Sequence, residues 1–425
     1  MARFIIQGGH TIEGTFTPRG NKNAVLPMMT ACLLTDQPIT LNNIPLIEDV
    51  KVMLELLNEI GVEVSQAGHD ITLCAKDIKL SSLDENLCSR VRTSILLAGP
   101  LTARLGKATI FPPGGDIIGR RRLDTHFHGL SALGINITIN SAYHFSADEL
   151  TGADIILDEA SVTATENIMM AATLAKGKTT IYNAACEPHV QDLARLLNAM
   201  GAHIEGIGTN KLTIEGAENL QGTTYRVQPD YIEIGSFMAA AVVTGGSLSI
   251  PEIGDPLALQ VMQRTYSRLG ISWSIENGIL SLPQQDHRHI ISDIGDATPK
   301  IEDGIWPAFP SDLMSVSIVL ATQTQGTALF FEKMFESRMY FVDHLMSMGA
   351  NIIQCDPHRV VVIGPTQLRG STLTSPDIRA GMAMLIAACC ADGESIIKNA
   401  GVIDRGYESI EDRLSALGAH IVREP

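Results

Sequence analysis

The stretch Leu196–Glu205, LLNAMGAHIE, contains the pattern that decides the fold of the whole chain. Its apolar residues follow helical spacing up to Gly201, and the residues after that glycine alternate as in a strand. A glycine at this point fits the left-handed residue that ends many helices. The stretch therefore predicts an amphipathic helix, a glycine cap and a strand.

The same pattern occurs five more times along the chain. The further copies are ELLNEIGVEV (55–64), LSALGINIT (130–138), YSRLGISW (266–273), LMSMGANII (345–353) and LSALGAHIV (414–422). The six glycines are 73, 67, 69, 79 and 69 residues apart. Such a long period indicates six repeated subdomains rather than the short rungs of a solenoid.

Each unit also opens with a short and almost wholly apolar helix. These segments are NAVLPMMTACLL, TSILLAGPLTARL, ENIMMAATLAKG, IGSFMAAAVVTGG, LMSVSIVLATQT and AGMAMLIAACCADG. A helix that is apolar on every side has to be buried on every side, so we expect this helix to be central and the amphipathic helix to lie outside. Because strands alternate with both helices, the predicted class is α/β.

Six such units form either one ring or two clusters of three. A single hydrophobic core seldom extends beyond about 250–300 residues. This limit favours two domains of three units each in a chain of 425 residues. We expect the boundary near 227–231, VQPDY, where a proline interrupts the pattern.

The composition excludes several classes of protein. A net charge of −16 argues against nucleic-acid binding, which depends on clustered basic residues. No apolar run reaches the ~18 residues of a membrane span, and the first residues lack the apolar run of a signal peptide. Seven scattered cysteines without metal-ligand spacing are typical of reduced thiols. These features predict a cytoplasmic protein without membrane insertion.

The segment Phe111–His128, FPPGGDIIGRRRLDTHFH, is the first candidate for a functional loop. Its prolines and glycines precede one acid, Asp116, and three consecutive arginines, Arg120–Arg122. A glycine-rich loop can close over a substrate, and arginine suits phosphate and carboxylate groups. The alternative is a solvated surface loop with a run of charges.

Polar residues at the start of the central helices form a second candidate site. Helix N-termini carry unpaired N–H groups and a partial positive charge, so they favour anions. Ordinary capping explains Ser311. It does not explain Lys22, Arg92 or Arg379, whose charges oppose the helix dipole and therefore suggest a bound anion. The whole set is Lys22, Asn23, Arg92, Thr163, Thr165, Glu166, Asp230, Glu233, Ser311, Asp312, Asp377 and Arg379.

A further set lies in the loops before the outer helices. It consists of Asp116, Arg121, Glu187, Arg338 and Arg405. Salt bridges to neighbouring acids are the alternative, with Glu336, Asp404 and Glu408 as the available partners. Cations from several different repeats favour an anionic substrate in a shared cleft instead.

Other signals are weak. His126 and His128 have the spacing of a metal pair on a strand, but no third ligand is evident, so no metal site is predicted. The sequence has no Walker or dinucleotide fingerprint and no GxSxG motif.

Long motifs in order along nearly the whole chain resemble the enolpyruvyl transferase family, in particular its members that serve peptidoglycan synthesis. These motifs are GNKNAVLP (20–27), VRTSILLAGPLTARLG (91–106), PPGGDIIGRRRLDTH (112–126), ASVTATENIMMAATLAKG (160–177), AFPSDL (308–313), FESRM (335–339) and IDRGYESIEDRLSALGA (403–419). The resemblance implies two inside-out α/β barrel domains, each of three pseudo-symmetric repeats with buried central helices. It places 22–229, with a mobile loop at 111–122, in the first domain, and 1–21 with 230–425 in the second.

The resemblance also implies an activity. Such an enzyme transfers the enolpyruvyl group of phosphoenolpyruvate to the 3-hydroxyl of UDP-N-acetylglucosamine and releases phosphate, with no metal or other cofactor. This is the first committed step of peptidoglycan precursor synthesis, on which cell-wall biogenesis, cell shape, the cell cycle and division depend. The chemistry is general acid–base catalysis, with cations that neutralise the phosphate and carboxylate of the donor.

Residue roles follow from the matching motifs. The residues expected to be catalytic are Asp116, Asp312, Lys22 and Arg405. The residues expected to hold the donor are Lys22, Arg121 and Arg405, and those expected to hold the sugar are Asn23 and Asp312. The residues expected at the uridine diphosphate end are Arg92, Arg121, Arg122, Leu123, Asp124, Thr125, Ser161, Val162 and Thr163. The residues expected to complete the substrate site are Met334, Arg338, Asp377 and Arg379.

The chain departs from the family pattern at a few positions. Asp116 replaces the usual loop cysteine, and we expect it to act as the general acid, because a carboxylic acid in a closed, dry site can deliver a proton. Arg122 stands where proline is typical, Glu159 where lysine is common, and Thr163 where glycine is common. The added and reversed charges either compensate each other or indicate another uridine nucleotide acceptor, for example UMP. A catalytically silent relative is a further alternative, and the retained Lys22, Asp312, Arg338 and Arg405 argue against it.

Overall fold

The computed structural model describes residues 2–116 and 118–425, and its backbone forms two compact units. The N-terminal unit comprises Gly20–Gly115 and Arg121–Gln228. The C-terminal unit comprises Met1–Arg19, Asp116–Arg120 and Pro229–Pro425. The main difference from the predicted division is the segment Asp116–Arg120, which we had expected to belong to the first domain with the rest of the loop. It groups with the C-terminal unit because its backbone is bonded there.

Two backbone contacts hold this segment. The N–H of Ser337 donates to the carbonyl of Ile118 at 3.1 Å, and the N–H of Arg120 donates to the Glu336 carboxylate at 3.3 Å. Ile118 is buried, with 4% of its surface exposed. The segment is therefore anchored to the C-terminal unit by main-chain bonds and by one apolar side chain.

Helices and strands alternate along the chain as the sequence predicts. The α-helices are α1 Lys22–Ala31, α2 Glu48–Glu59, α3 Glu85–Arg90, α4 Ala98–Leu105, α5 Asp124–Ala132, α6 Val162–Ala172, α7 Pro188–Ala199, α8 Tyr231–Val243, α9 Pro256–Arg268, α10 Met314–Thr322, α11 Val342–Ser347, α12 Ile378–Cys390 and α13 Ile410–Ser415. Short 3-10 helices are Cys32–Leu34, Arg92–Leu97, Ser311–Leu313 and Ala400–Arg405.

The strands are β1 Arg3–Gln7, β2 Gly14–Thr15, β3 Ile39–Asn42, β4 Glu63–Ala67, β5 Asp70–Cys74, β6 Lys107–Ile110, β7 Asn136–Ile139, β8 Tyr143–Ser146, β9 Asp154–Ile156, β10 Lys178–Tyr182, β11 His203–Glu205, β12 Lys211–Glu215, β13 Thr223–Arg226, β14 Leu248–Ile250, β15 Ser274–Glu276, β16 Ile279–Leu282, β17 Lys300–Glu302, β18 Gly326–Phe331, β19 Asn351–Asp356, β20 Arg359–Gly364, β21 Thr372–Thr374, β22 Glu394–Lys398 and β23 His420–Glu424. These described strands form three sheets in each unit. In the N-terminal unit the strand orders of the three sheets are β13-β3-β5-β4, β6-β8-β7 and β11-β12-β10-β9. The C-terminal unit has the orders β21-β22-β1-β23, β15-β16-β14-β2 and β17-β18-β20-β19.

The sheets share one plan, which reflects the sequence repeat. Three antiparallel strands carry one parallel strand at an edge, as in the pairs β13–β3, β9–β10, β2–β14, β17–β18 and β21–β22. In the sheet that contains β6, an isolated parallel bridge between Ser82 and Thr109 occupies the equivalent place. The first strand, β1, pairs with β22 and β23, as expected from the predicted return of the N-terminus to the second half.

The glycine caps predicted from the repeated pattern are confirmed. The glycines at 61, 134, 201, 270, 349 and 418 all have positive φ angles, between 75° and 108°. Each lies two or three residues after the last residue of an outer helix and precedes a strand or an extended segment. The left-handed conformation lets the chain reverse directly from helix to strand.

The predicted burial of the central helices is also confirmed. Every residue of α8 and α10 is buried, as is α12 from Ile378 to Cys389. These three helices contact one another inside the C-terminal unit, while α6 contacts both α1 and α4 inside the N-terminal unit. Outer helices such as α2 and α9 bury one face only. The cores are therefore helical, with sheets and amphipathic helices around them.

A close contact between α4 and α6 positions part of the candidate site. The N–H of Gly99 donates to Asn167 Oδ1 at 2.9 Å, and Asn167 Nδ2 donates to the carbonyl of Ile95 at 2.9 Å. A Cβ at position 99 would lie 2.6 Å from the carbonyl oxygen of Asn167. Only glycine allows the two helices to approach so closely.

We expect Gly99→Ala to lower the free energy of unfolding by about 1–3 kcal/mol, because overpacking a dense core forces the backbone to shift. Gly401→Ala is the matched control, since a Cβ there meets nothing within 4 Å. Thermal unfolding followed by circular dichroism measures both. A Gly99→Ala protein as stable as the control would show that the helices adjust without cost.

Candidate active site

The loop acid Asp116 forms an ion pair with Arg405, at the end of the 3-10 helix Ala400–Arg405. Arg405 Nη1 lies 2.5 Å from Asp116 Oδ1, and the two side chains are 19% and 16% exposed. The sequence identified both residues as candidates but did not predict that they contact each other. Because both lie in the C-terminal unit, the contact belongs to one compact body.

The acids expected to compete for these arginines have other partners. Asp404 forms a bidentate pair with Arg423, and Glu408 lies 3.6 Å from Arg19. Glu336 accepts a bond from the backbone of Arg120 rather than one from Arg338. Glu336 therefore does not account for Arg338, whose carboxylate partner is Asp312.

Asp312 accepts hydrogen bonds from two arginines of the same unit. Arg338 Nη2 lies 2.6 Å from its Oδ1, and Arg379 Nη2 lies 2.8 Å from its Oδ2. Burial alone would raise the pKa of Asp312, but the charges and hydrogen bonds of Arg379 and Arg338 hold this pKa well below its ordinary value. Asp312 is therefore a firmly ionised carboxylate and a weak proton acceptor.

A second layer of polar contacts orients Arg379. Its Nη1 donates to Tyr407 Oη at 3.1 Å, and that oxygen lies 2.9 Å from Ser236 Oγ in the buried helix α8. Asp377 caps α12 by accepting bonds from the N–H groups of Arg379 and Ala380, each at 2.9 Å. Burial raises the pKa of Asp377, and the charge of Asp116 acts in the same direction.

Arg338 is held from behind and keeps donors available. Its guanidinium stacks over Phe335 with 5.0 Å to the ring centroid, and the whole residue is 7% exposed. Its Nε and Nη1 have no hydrogen-bond partner within the part of the chain that the structure describes. Buried donors without partners are costly, so these two nitrogens are suited to a ligand acceptor.

A buried carboxyl, Glu332, lies between Ser311 and the turn that contains Met334 and Phe335. It accepts from Ser311 Oγ at 2.9 Å and from the N–H groups of Met334 and Phe335 at 3.2 Å. Its pKa is raised to about 9 by burial and by the neighbouring Asp303. Met334 itself is 40% exposed at the surface of this turn.

In the N-terminal unit, Lys22 has a protein partner. Its Nζ lies 2.8 Å from Oδ2 of Asp49, in the first turn of α2, and both side chains are at most 10% exposed. Asn21 caps α1 by accepting from the N–H of Ala24 at 3.0 Å. Asn23, the next residue of α1, is half-buried.

The arginines of the loop meet Arg92 in the same unit. Arg92 Nη2 donates to the carbonyl oxygens of Arg121 at 2.8 Å and of Arg122 at 3.3 Å. Burial and the charge of Arg121 lower the pKa of Arg92 to about 10. Arg92 therefore fixes the backbone of this segment just before α5 begins at Asp124.

The unusual Arg122 lies in an acidic setting. Its Nε lies 2.8 Å from Asp124 Oδ2, and its Nη2 lies 3.5 Å from Asp158 Oδ2. Hydrogen bonding to Asp124 raises the pKa of Arg122 most, and the charge of Glu159 adds to the effect. Thr125 Oγ1 also donates to Asp158 at 2.6 Å. The added cation and the reversed charge at 159 therefore lie in one electrostatic cluster.

His126 is a buried structural residue on α5, not one of a metal pair on a strand as the spacing had suggested. Its Nδ1 lies 3.2 Å from Asn167 Nδ2 and its Nε2 lies 3.1 Å from Thr163 Oγ1. Burial, helped by the charge of Arg92, lowers the pKa of His126 to about 3. The ring is thus neutral, and since Asn167 Nδ2 can only donate, Nε2–H donates to Thr163.

The rest of the predicted set has ordinary structural contacts. Ser161 caps α6 ahead of Val162, Thr165 accepts from the N–H of Ala185, and Leu123 packs against the core. Asp230 caps α8, and Glu233 forms a buried pair with Arg413. Glu166 is buried near Glu187, and burial followed by the charge of Glu187 raises its pKa well above the usual range.

The cations at the helix N-termini, which suggested a bound anion, have partners within the protein, and the bound anion stays a prediction. Lys22 is balanced by Asp49, Arg379 by Asp312, and Arg92 by carbonyl oxygens. The cations therefore have partners in the protein already, and an anionic ligand would add to these contacts or replace them.

Sequence reasoning missed Asp49, Tyr407, Glu332 and Asn167. Asp49 lies at the start of an outer helix, the place that Arg121, Glu187, Arg338 and Arg405 occupy in other repeats. Asp49 lies 12 residues before its cap glycine, Gly61, and the other four lie 11 to 14 residues before theirs, so the repeat spacing indicates the same region of the unit. Tyr407, Glu332 and Asn167 have no such repeat signal, because their partners are distant in sequence.

Within residues 2–116 and 118–425, no three His, Cys, Asp or Glu side chains are grouped to hold a metal ion. No helix in this part of the chain is long and apolar enough to cross a membrane. The seven cysteines form no disulfide bond with one another.

Comparison with known proteins places the chain in an enzyme family. A family model described as EPSP synthase (3-phosphoshikimate 1-carboxyvinyltransferase) matches residues 6–414. The chain belongs to this family of carboxyvinyl, or enolpyruvyl, transferases, and its fold is the mixed α/β fold of these enzymes. By fold it is similar to the enolpyruvyl transferase NikO from Streptomyces tendae, with a TM-score of 0.88 at 22% identity over 100% of this chain and 99% of that one. It is also similar to EPSP synthase from Acinetobacter baumannii, with a TM-score of 0.77 at 17% identity and full coverage of both chains.

Among curated proteins, the chain is similar to members of this family that share one name. The UDP-N-acetylglucosamine 1-carboxyvinyltransferase of Treponema denticola is 52% identical over 99% of each chain. The protein of the same name from Bradyrhizobium diazoefficiens is 52% identical over 100% of this chain and 98% of its own.

We expect Asp312→Asn to destabilise the protein by about 3 kcal/mol, because two partly buried arginines lose the charge that pairs them. The lowered pKa means that this contribution is present above the unfolded-state value of about 3.9 and is lost as the pH falls through the folded-state value. The difference from the unmodified protein should therefore be constant at neutral pH and shrink in strong acid.

Urea unfolding over a pH series measures this difference. Glu55→Gln is the control, since Glu55 forms an exposed ion pair with Arg90 and should matter little. Equal effects of the two substitutions would contradict a special role for the Asp312 cluster.

Proposed function

We propose that this protein transfers the enolpyruvyl group of phosphoenolpyruvate to the 3-hydroxyl of UDP-N-acetylglucosamine, with release of phosphate, as the first committed step of peptidoglycan precursor synthesis. The observation that carries the proposal is 52% identity, over 99% of both chains, to a protein named UDP-N-acetylglucosamine 1-carboxyvinyltransferase. The charge clusters described above supply the chemistry that the reaction needs.

The donor has a phosphate and a carboxylate, and we assign these charges to Lys22, Arg121 and Arg405. Arginine binds both groups through two parallel N–H bonds, and lysine acts as a compact point charge. Asp49 and Asp116 keep Lys22 and Arg405 ordered until the donor replaces or joins them. Such preorganised cations lower the energy of the leaving phosphate without a reorganisation cost at the moment of reaction.

Asp116 is proposed as the general acid. Its proton adds to the terminal carbon of the vinyl group, and the neighbouring carbon becomes an oxocarbenium-like centre. The 3-hydroxyl oxygen of the sugar bonds to that centre and gives a tetrahedral adduct. A methyl proton is then lost to solvent, the electrons of its C–H bond form the new double bond, and phosphate leaves with the electrons of its C–O bond.

Asp312 is proposed to orient the attacking hydroxyl. Its low pKa makes it a weak base towards a free sugar alcohol. A hydroxyl that is bonding to a cationic carbon is strongly acidic, however, so a weak but well-placed carboxylate suffices at that stage. Arg338, with two donors available, and Arg379 are proposed to hold this carboxylate and to contact the substrate, with Met334 and Asp377 beside them.

The nucleotide end is assigned to the Arg92 side of the N-terminal unit. We propose that Asn23 contacts the sugar and that Arg121, Arg122, Leu123, Asp124 and Thr125 with Ser161, Val162 and Thr163 hold the uridine diphosphate. The contacts of Arg122 with Asp124 and Asp158, near Glu159, support compensation of the exchanged charges rather than a different acceptor.

We also propose that each unit is an inside-out barrel of three pseudo-symmetric repeats. Three sheets of one plan and three contacting buried helices in the C-terminal unit support this arrangement. The cytoplasmic location stays a prediction, supported by cysteines that form no disulfide.

Phosphate release measured with a panel of acceptors tests the function. UDP-N-acetylglucosamine should support turnover, and UMP should not, because the added cation Arg122 is paired with Asp124 and Asp158 inside the protein. Release with UMP alone would establish the alternative acceptor, and no release with any acceptor would indicate a silent relative.

Variants sharpen the same assay. Asp116→Asn should lower kcat by about 10²–10⁴-fold through loss of the proton donor, and Asp312→Ala should do so through loss of the orienting carboxylate. Glu55→Gln, remote from these clusters, should leave turnover unchanged. Full activity of Asp116→Asn would remove Asp116 from the mechanism.

Inhibition gives an independent prediction. The epoxide fosfomycin alkylates the loop cysteine of the family, and a carboxylate at 116 is a far weaker nucleophile than a thiolate. We expect no time-dependent inactivation of this protein, whereas Asp116→Cys should become sensitive. A covalent adduct on Asp116, detected by mass spectrometry, would refute the prediction.

A further inference from the structure

The ion pair between Arg405 and Asp116 raises a problem for the proposed chemistry. A general acid has to be in the carboxylic acid form, whereas the bond from Arg405 at 2.5 Å is one that a carboxylate makes. Arg405 is at the same time a proposed partner of the anionic donor. Arg405 therefore has two possible anionic partners, the Asp116 carboxylate and the donor.

We infer that the donor and Asp116 compete for Arg405, so that donor binding itself loads Asp116 with the proton that it then delivers. This inference rests on the proposed function and deepens it. Before the donor binds, Arg405 holds Asp116 as a carboxylate. The phosphate or carboxylate of the donor takes over Arg405, and Asp116, now beside an anion, binds a proton from solvent.

One further charge near Asp116 favours this exchange. Asp377, at the start of α12, is near enough for the charge of Asp116 to raise its pKa, after burial as the main cause. Arg338 lies near Asp377 and holds it partly in balance, but its own hydrogen bond goes to Asp312. Once Arg405 turns to the donor, Asp116 faces two negative neighbours, and like charges in a site with little water cannot all remain ionised.

The backbone permits the exchange without movement of the loop. The carbonyl of Ile118 and the N–H of Arg120 are bonded to the segment Glu336–Ser337, independently of the ion pair. These bonds do not involve the ion pair and remain when it separates. The nearest acid in sequence, Asp404, is held in a bidentate pair by Arg423.

The atoms balance over one cycle. A solvent proton binds a carboxylate oxygen of Asp116 as the donor binds, and that O–H bond breaks when the proton forms a new C–H bond with the vinyl carbon. The electrons of the O–H bond stay on Asp116, which is again a carboxylate. When phosphate leaves, Arg405 is available and the ion pair forms anew.

Isothermal titration calorimetry with phosphoenolpyruvate alone tests the inference, since no acceptor or turnover is involved. Titrations at one mildly alkaline pH in two buffers of different ionisation enthalpy give the number of protons taken up per donor bound. The donor contributes equally in every variant. We expect the unmodified enzyme to take up as much as one proton more than Asp116→Asn.

Affinity gives a second readout. Asp116→Asn should bind the donor about tenfold more tightly, because no carboxylate competes for Arg405. Asp116→Cys, whose thiol with an ordinary pKa of about 8.5 is already protonated at neutral pH, should also lack the extra proton. Asp356→Asn, an acid of the same unit that pairs with Arg359, should behave as the unmodified enzyme.

Equal proton uptake in all four proteins would overturn the inference, as would weaker donor binding by Asp116→Asn or no donor binding to any of them. Turnover in the acceptor panel together with equal proton uptake would leave the proposed function standing and remove only this step. Extra uptake in the unmodified enzyme and in Asp356→Asn alone supports it.

Discussion

A helix that is apolar on every side can lie only in a hydrophobic core, yet its first N–H groups need polar partners. The chain meets this constraint six times, once in each repeat. The residues that satisfy the helix N-termini stand beside the charged residues of the candidate site. Asn21, Ser161, Asp230 and Asp377 cap four central helices with their own side chains. Buried charged residues then stand just inside two of those caps, namely Lys22 and Arg379.

The charges at these positions are matched within the protein. Lys22 has Asp49, Asp312 has two arginines, and Arg405 has Asp116. A buried unpaired charge would cost several kcal/mol, so a site built to receive an anionic substrate needs internal counter-ions before the substrate arrives. In the proposed function, a substrate that binds one partner of such a pair changes the protonation or freedom of the other.

The repeats explain how such pairs arise. Each of the six repeats contains the start of a central helix and the start of an outer helix, and different repeats have different charged residues at these two places. Lys22 and Asp49 are paired from these two places in one repeat. Asp312 and Arg338 are paired from the corresponding places in another, with the signs reversed. A duplicated scaffold has thus given sites of opposite polarity without a change of backbone plan.

The sequence by itself determined the six repeats, their glycine caps, the buried helices and most of the charged residues of the candidate site. These features are local, since periodicity and capping depend on neighbours within about two helical turns. The motif resemblance added the family and the roles that are proposed for single residues.

Only the tertiary structure decided which charges pair. It joined Asp116 to Arg405, gave Lys22 a partner in Asp49, and identified His126 as a neutral core residue rather than a ligand. Coulomb energies and desolvation depend on distances between side chains that are far apart in sequence, and composition or spacing does not specify such distances.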